Sequence, residues 1–258
     1  MIADLGHQTP AAFDAWTVVF ELDKTFAGDW VVVGGQMVAL HAASLDVDDG
    51  VRPTDDVDVL VDVRARPRAT EELGRWLTDR RFDHAGSSPD GIGHRYTRPV
   101  SPGPGTVIVD VLAPDGLGPR VSLTTSPPAR TVEVPGGTQA LRRAERVGVT
   151  VADISRGRTA SGFARRPDLL GALVSKSAAT TIPVRDNPTR DWQDAAMLLA
   201  HIPDPFALAS ETTRTDRRRL AHLLPLADRN HSGWDLLSDD GHRRGVAALE
   251  ALCADPHH

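Results

Sequence analysis

The sequence predicts an α+β fold: a mixed β-sheet flanked by helices, followed by a helical C-terminal half. Three observations predict it. The apolar run "WVVV" leads into Gly34-Gly35 and then into a helical pattern. Two valine-rich stretches, "DVDVLVDV" and "TVIVDVLAP", read as further strands. Beyond Ser161 the apolar residues recur at helical spacing only.

Taken in order, Thr9-Pro10 is a helix start, with Thr as cap and Pro at the first helical position. Phe13, Trp16 and Phe20 follow at helical spacing, which carries that helix to about Thr25. Trp30 to Val33 is a short buried strand, Gly34-Gly35 breaks it, and Gln36 to Ala43 is a helix. "DVDDGVRPTDD" is a polar loop. In the strand that follows, Val57, Val59, Val61 and Val63 fall on one face; Asp56, Asp58, Leu60 and Asp62 fall on the other. "RATEELGRWLTDRRF" is an amphipathic helix with Leu73, Trp76 and Leu77 inward. "SSPDGIGHRYTRPVSPGPG" reads as a hairpin-like or loop region, and "TVIVDVLAP" as a strand interrupted only by Asp110. "TVEVPGGTQALRRAERVGVTVADISRG" reads as short strands around a turn and a brief helix.

Four helical stretches complete the chain: "RRPDLLGALVSKSAATT", "NPTRDWQDAAMLLAHI", "DPFALASETTRTDRRRLAHLLPLA" and "GHRRGVAALEALCA". Asn187-Pro188 supplies the start of the second, by the same cap-and-proline logic as Thr9-Pro10. The expected division is an α/β core over 1–125, short strands and a connecting segment over 126–160, and a helical domain over 161–258.

With 40% hydrophobic and 25% charged residues among 258, the chain can bury a core and is not a disordered tail. A formal net charge of −6 argues against a protein that coats nucleic acid nonspecifically, though not against a local basic patch. One cysteine, Cys253, cannot form an internal disulfide or a thiolate zinc site. The start lacks a signal-peptide pattern and no apolar run has the length of a membrane span, so a cytoplasmic location without membrane insertion is expected.

The chemistry-bearing pattern lies on the strands. Asp56 and Asp58 are two apart and project from one face. Asp110 sits inside another apolar strand, where an isolated carboxylate costs several kcal/mol unless paired or metal-bound. If the two strands are neighbours, three carboxylates converge and raise one another's pKa values, so the cluster calls for a cation. Oxygen ligands without His or Cys point to Mg²⁺ or Mn²⁺. The bland alternative pairs Asp110 with Arg95 or Arg98. Gly34-Gly35 at a strand–helix turn presents bare N–H groups at a positive helix end, a cradle for phosphate. Lys176 follows an apolar stripe and would ordinarily reach out to water. Asp191 and Asp194 share one flank of a helix start, where acids favour the dipole. "TRTDRRRL", Thr213 to Leu220, is a basic helical segment: a solvated face, or a phosphate contact. Arg64, Arg66 and Arg68 offer the same choice, and the histidines show no metal-ligand spacing.

Gly34-Gly35, then "TDDVD" with Thr54, Asp56 and Asp58, then Asp110 on a later strand resemble the nucleotidyltransferase superfamily of the DNA polymerase β type. Lys176 in "LLGALVSKSAA", followed by "RDNPTRDWQDAAMLL", is similar to the bacterial AbiEii/MenT-like toxin group. The resemblance spans residues 28–200. It implies a nucleotidyltransferase-type sheet and transfer of a nucleoside monophosphate from an NTP, with Mg²⁺ or Mn²⁺, to an acceptor hydroxyl. In this picture Asp56, Asp58 and Asp110 are catalytic and hold metal, with Asp110 as third ligand or general base. Gly34, Gly35, Thr54, Lys176, Asp191 and Asp194 would bind the nucleotide. The superfamily often shows Gly-Ser at the turn, with Gly-Gly in many members, so the serine hydroxyl is missing here. The acceptor implied is tRNA, with a cognate antitoxin as protein partner. An aminoglycoside, a lincosamide or a protein hydroxyl is the alternative. A catalytically silent nucleotide- or partner-binding module is the rival of another class.

Overall fold

The computed structural model describes residues 2–26, 28–52, 54–182 and 189–254. In chain order the elements are β1 (Ile2–His7), α1 (Pro10–Thr25), β2 (Trp30–Val33), α2 (Gly34–Leu45), β3 (Asp56–Val61), α3 (Ala69–Asp79), β4 (Asp83–His84), β5 (Arg95–Pro99) and β6 (Thr106–Pro114). Then follow β7 (Glu133–Val134), α4 (Gly137–Arg142), β8 (Ala144–Asp153), β9 (Arg158–Pro167), α5 (Leu169–Ala179), α6 (Thr189–Ala200), α7 (Pro205–Ser210), α8 (Arg214–Leu220) and α9 (Asp239–Cys253). The architecture is α+β, with mixed sheets and flanking helices. No helix among the described residues is long and apolar enough to cross a membrane.

The larger sheet has the order β2-β3-β6-β5-β4, with β7 paired to β6. Its period-two split is the one the valines predict. Val57, Val59, Val61 and Val63 enter one core with Phe13, Trp16 and Phe20 of α1 and with Leu73, Trp76 and Leu77 of α3. On the opposite face Leu60 and Leu112 pack with Val31, Val33 and Ala140 of α4. The aspartates share this second face with Leu60, so the apolar content of the strand is divided between two layers.

Two sequence expectations are corrected, and one strand is added where the sequence reading placed no element. Ile2–His7 is a strand, paired in parallel with β8 in a second sheet of order β1-β8-β9. The short strands expected within 126–160 are longer than that: β8 and β9 form a hairpin of ten residues per strand that runs past 160. The helical part begins later than 161: β9 runs to Pro167, and α5 starts at Leu169 with Asp168 as cap, its carboxylate accepting from Gly171 N at 2.8 Å. The expected cap at Asn187-Pro188 lies outside the described residues.

The helices after β9 bury a separate cluster. Leu170, Leu173 and Val174 of α5 meet Ala195, Met197 and Leu199 of α6 and Leu249 and Leu252 of α9. Met37, Val38 and Ala42 of α2 join them, while Leu40 of the same helix faces the sheet core. Helix α2 is therefore shared between both cores, and it starts at the candidate site.

Candidate functional site

Strand pairing assembles one row across the larger sheet. Val33 of β2 lies opposite Asp58 of β3, in antiparallel register. Asp58 lies opposite Asp110 of β6 across a parallel pair, and Asp110 lies opposite Arg95 of β5. Asp56, two residues before Asp58, points from the same face. The row ends at the turn into α2. Gly34 adopts φ +69°, and a Cβ there would lie 1.8 Å from Asp58 Oδ2. Glycine is thus required twice, for the left-handed backbone and for the close approach of the carboxylate.

Charge in this row is unbalanced. Asp110 is 5% exposed and is held by a fork: Arg95 Nε donates to Oδ1 at 2.9 Å and Nη2 to Oδ2 at 2.7 Å. The same Nη2 is 3.6 Å from Asp56 Oδ2. Hydrogen bonding to Asp110 raises the guanidinium pKa above its ordinary value. Among the described residues no hydrogen bond or ion pair reaches the Asp58 carboxylate. Burial, then the Asp110 charge beside it, pushes Asp58 up to about 7. Asp56 is also raised, first by burial; Arg95 opposes the shift and Asp110 adds to it.

A cleft of about 110 Å³ opens beside Asp58 and is lined also by Gly34, Lys176 and Asp191. Lys176 does not reach water. It is 5% exposed, with Nζ 2.7 Å from Asp194 Oδ2 and 3.2 Å from Asp191 Oδ1. Burial lowers its pKa, but Asp194 and Asp191 outweigh that and hold it above the usual lysine value. Arg52 Nη2 reaches Asp194 Oδ2 at 3.4 Å from the loop before β3. Asp191 and Asp194 therefore serve Lys176, on the flank that their three-residue spacing gives them.

The structure thus brings together Gly34, Asp56, Asp58, Asp110, Lys176, Asp191 and Asp194. It separates Gly35 and Thr54 from the cleft. A Cβ on Gly35 would lie 2.9 Å from Thr54 Cγ2, and the Thr54 carbonyl accepts from Gln36 Nε2 at 2.7 Å. Both positions pin the loop onto α2. Thr54 lines a different cavity of about 370 Å³, with Asp4, Gln36, Arg52 and Asp55. The sequence pattern does not single out Arg52, and it offers Arg95 only as a pairing partner of Asp110, which is the role Arg95 plays. The signal for Arg95 was present: a charged residue inside a strand, at a spacing that allows pairing with a buried aspartate.

Among the described residues no three His, Cys, Asp or Glu side chains form a ready-made metal cluster. Asp56 and Asp58 nevertheless present hard oxygens from one face, and among the described residues no hydrogen bond competes for Asp58. That pair fits a divalent cation of the Mg²⁺ or Mn²⁺ kind. Asp110 fits only with Arg95 moved aside, because both its oxygens are taken. No protein-family model, no curated protein and no solved structure matches the chain.

Proposed function

We propose that this chain is a metal-dependent nucleotidyltransferase, moving a nucleoside monophosphate from an NTP to an acceptor hydroxyl, with tRNA the acceptor we favour. One observation carries the reading: a row of aspartates at a glycine turn, in which no hydrogen bond or ion pair among the described residues reaches the Asp58 carboxylate and its pKa is pushed up to about 7. Strong perturbation in a cleft is what active-site carboxylates share.

In the reaction an acceptor oxygen bonds to the α-phosphorus while the bond to the pyrophosphate oxygen breaks, and the hydroxyl proton passes to a carboxylate of the row. Asp56 and Asp58 would hold the divalent cation. When bound, that cation supplies charge neutralisation on the leaving pyrophosphate and acidifies the attacking hydroxyl. Lys176 would offer its charge to a phosphate beside Asp58, within the cleft they share. Gly34 leaves room for the carboxylate and bares the first turn of α2. Catalysis in this arrangement is positioning and charge stabilisation.

The test is incubation with each labelled NTP and Mg²⁺, in separate arms with total tRNA, aminoglycosides, lincosamides and protein. Label should transfer in one arm, and Asp58→Ala should abolish transfer while the far-ultraviolet circular dichroism stays native. Absence of label in every arm with folded protein overturns the reading. A second reading is favoured by the Arg95 fork on Asp110: the protein's own cation stands beside the carboxylates, as in a silent nucleotide- or partner-binding module. Nucleotide binding without transfer would establish it.

A further inference from the structure

The basic segment "TDRRRLAH" takes no part in the aspartate row, yet it forms a second wall close by. Thr215, Arg218, Arg219 and His222 are spaced by three and four residues, so they share one face of α8 and of the turn after it. With Thr181 and Pro135 they line a groove of about 330 Å³. Pro135 lines both this groove and the Asp58 cleft. Ala178 and Thr181 face the groove while their chain neighbours Ala179 and Ile182 face the cleft. The two spaces thus lie on either side of Pro135 and the C-terminal turn of α5.

The groove wall is fixed in place. Arg219 Nη2 donates to Asp115 Oδ2 at 2.7 Å, and Ser177 Oγ donates to the Arg219 carbonyl. Thr213 and Asp216 close a capping box at the start of α8, and Gln139 Nε2 donates to Asp216. Arg218 stands apart from these bonds. It is exposed, and among the described residues no hydrogen bond or ion pair reaches it. Among the described residues the groove is lined by no Asp or Glu, although the chain as a whole carries −6.

Size connects the two spaces. Small-ligand sites hold roughly 300–1,000 Å³, whereas the Asp58 cleft holds about 110 Å³. A phosphate-bearing substrate that reaches Asp58 must extend into adjoining space, and among the described residues this groove adjoins the cleft with matching charge.

We propose that the groove between α8 and the end of α5 is a phosphate-binding site, in which Arg218, with the Thr215 hydroxyl and the His222 ring, receives phosphates of a ligand whose reacting end lies at Asp58. This deepens the nucleotidyl-transfer reading and rests on it for the role of Asp58 alone. Arginine suits the task because its planar fork matches two phosphate oxygens at once. Two sources share the chemistry, the polyphosphate of a nucleotide and the phosphodiester strand of an RNA acceptor.

The experiment measures binding in EDTA, so that no transfer occurs, with two probes: fluorescent ATP and a fluorescent single-stranded RNA oligonucleotide. Arg218→Ala should weaken a probe about tenfold, irrespective of base sequence, and reduce the salt slope of its affinity by about one. Arg218→Glu should weaken it further. Loss confined to ATP assigns the groove to the polyphosphate, and loss confined to RNA assigns it to the acceptor strand. Unchanged affinity of Arg218→Glu for both probes overturns the proposal. Transfer assays on the wild type and on Arg218→Glu keep the two readings apart. Probe binding that depends on Arg218 without any transfer activity in the wild type leaves the groove standing and removes the enzyme. Transfer that survives Arg218→Glu with unchanged KM removes the groove and leaves the enzyme.

Discussion

The sheet row and the helix pair of α5 and α6 both gather carboxylates, and they settle the charge in opposite ways. In the row, Arg95 bonds Asp110 and reaches Asp56, while among the described residues no hydrogen bond or ion pair reaches the Asp58 carboxylate. In the helix pair, Lys176 lies between Asp191 and Asp194, and Arg52 adds a second cation at Asp194. The first set is open and the second closed. An open set of buried charge is costly to the fold and is retained where a ligand completes it. A closed set resists removal of any member, because the survivor is left charged and unpaired. Lys176 belongs to both regions: it lines the cleft of the open set while its bonds belong to the closed one.

The largest effect should come from opening the closed set. Lys176→Met removes the cation that the buried Asp191 and Asp194 share, and removing one partner of such a set costs about 3–5 kcal/mol. Urea unfolding of the variant should show that loss. A loss below about 1 kcal/mol would mean that water or Arg52 already satisfies the two acids, and the contrast with the row would disappear.

Closing the open set should have the reverse sign. The folded protein binds a proton at Asp58 more tightly than the unfolded chain, since its carboxyl is pushed up to about 7. The resulting stabilisation is fully present below the unfolded carboxylate value and is lost as pH rises through about 7. Asp58→Asn should therefore be more stable than the wild type at about pH 8, by on the order of 2–4 kcal/mol, and near parity at about pH 4. Mg²⁺ should stabilise the wild type at the higher pH by about 2.7 kcal/mol when present at a hundred times its Kd, with EDTA reversing the gain. The asparagine variant should not respond. Equal pH profiles for the two proteins would show that Asp58 is solvated rather than held unpaired.

A third variant probes the wall between the regions. Gly34→Ala puts a Cβ on a backbone at φ +69° and against Asp58 Oδ2. The backbone alone costs about 1–2 kcal/mol. A larger total loss, partly recovered on an Asp58→Ala background in a double-mutant cycle, would locate the excess in the contact with the carboxylate. Simple additivity would leave only the backbone cost.

Much of this contrast was legible in the sequence, and its boundaries follow from range. Period-two alternation placed Asp56 and Asp58 on one face and Val57, Val59 and Val61 in the core, because faces follow from local geometry alone. The neighbour relation of β3 and β6 was conditional, since parallel pairing joins strands far apart in the chain. Strand β9 was not legible. "RTASGFARRP" is polar and half exposed, and Gly162 reads as a turn signal. In the fold that glycine lies under Phe20 of α1, where a Cβ would meet Phe20 Cγ at 2.4 Å. The glycine is there for a close approach, a requirement set by a helix more than a hundred residues earlier. The pairing of Lys176 with Asp191 and Asp194 was hidden for a like reason: it bridges two helices, so neither helical wheel contains it.

The smallest effect tests how open the row is. Arg95→Lys keeps the positive charge and loses the planar fork, so one of the two bonds to Asp110 is lost. The stability cost should be about 1 kcal/mol, the net worth of one such bond. The consequence for ligands should be opposite in sign. With one Asp110 oxygen released beside Asp58, a third hard donor becomes available to a divalent cation at Asp56 and Asp58. Mn²⁺ binding, followed by electron paramagnetic resonance of the free ion, should tighten in the variant relative to the wild type. Weaker binding would mean that Arg95 shapes the carboxylates for the ion instead of competing with it. The row would then be an assembled site, and its charge imbalance a matter of preorganisation.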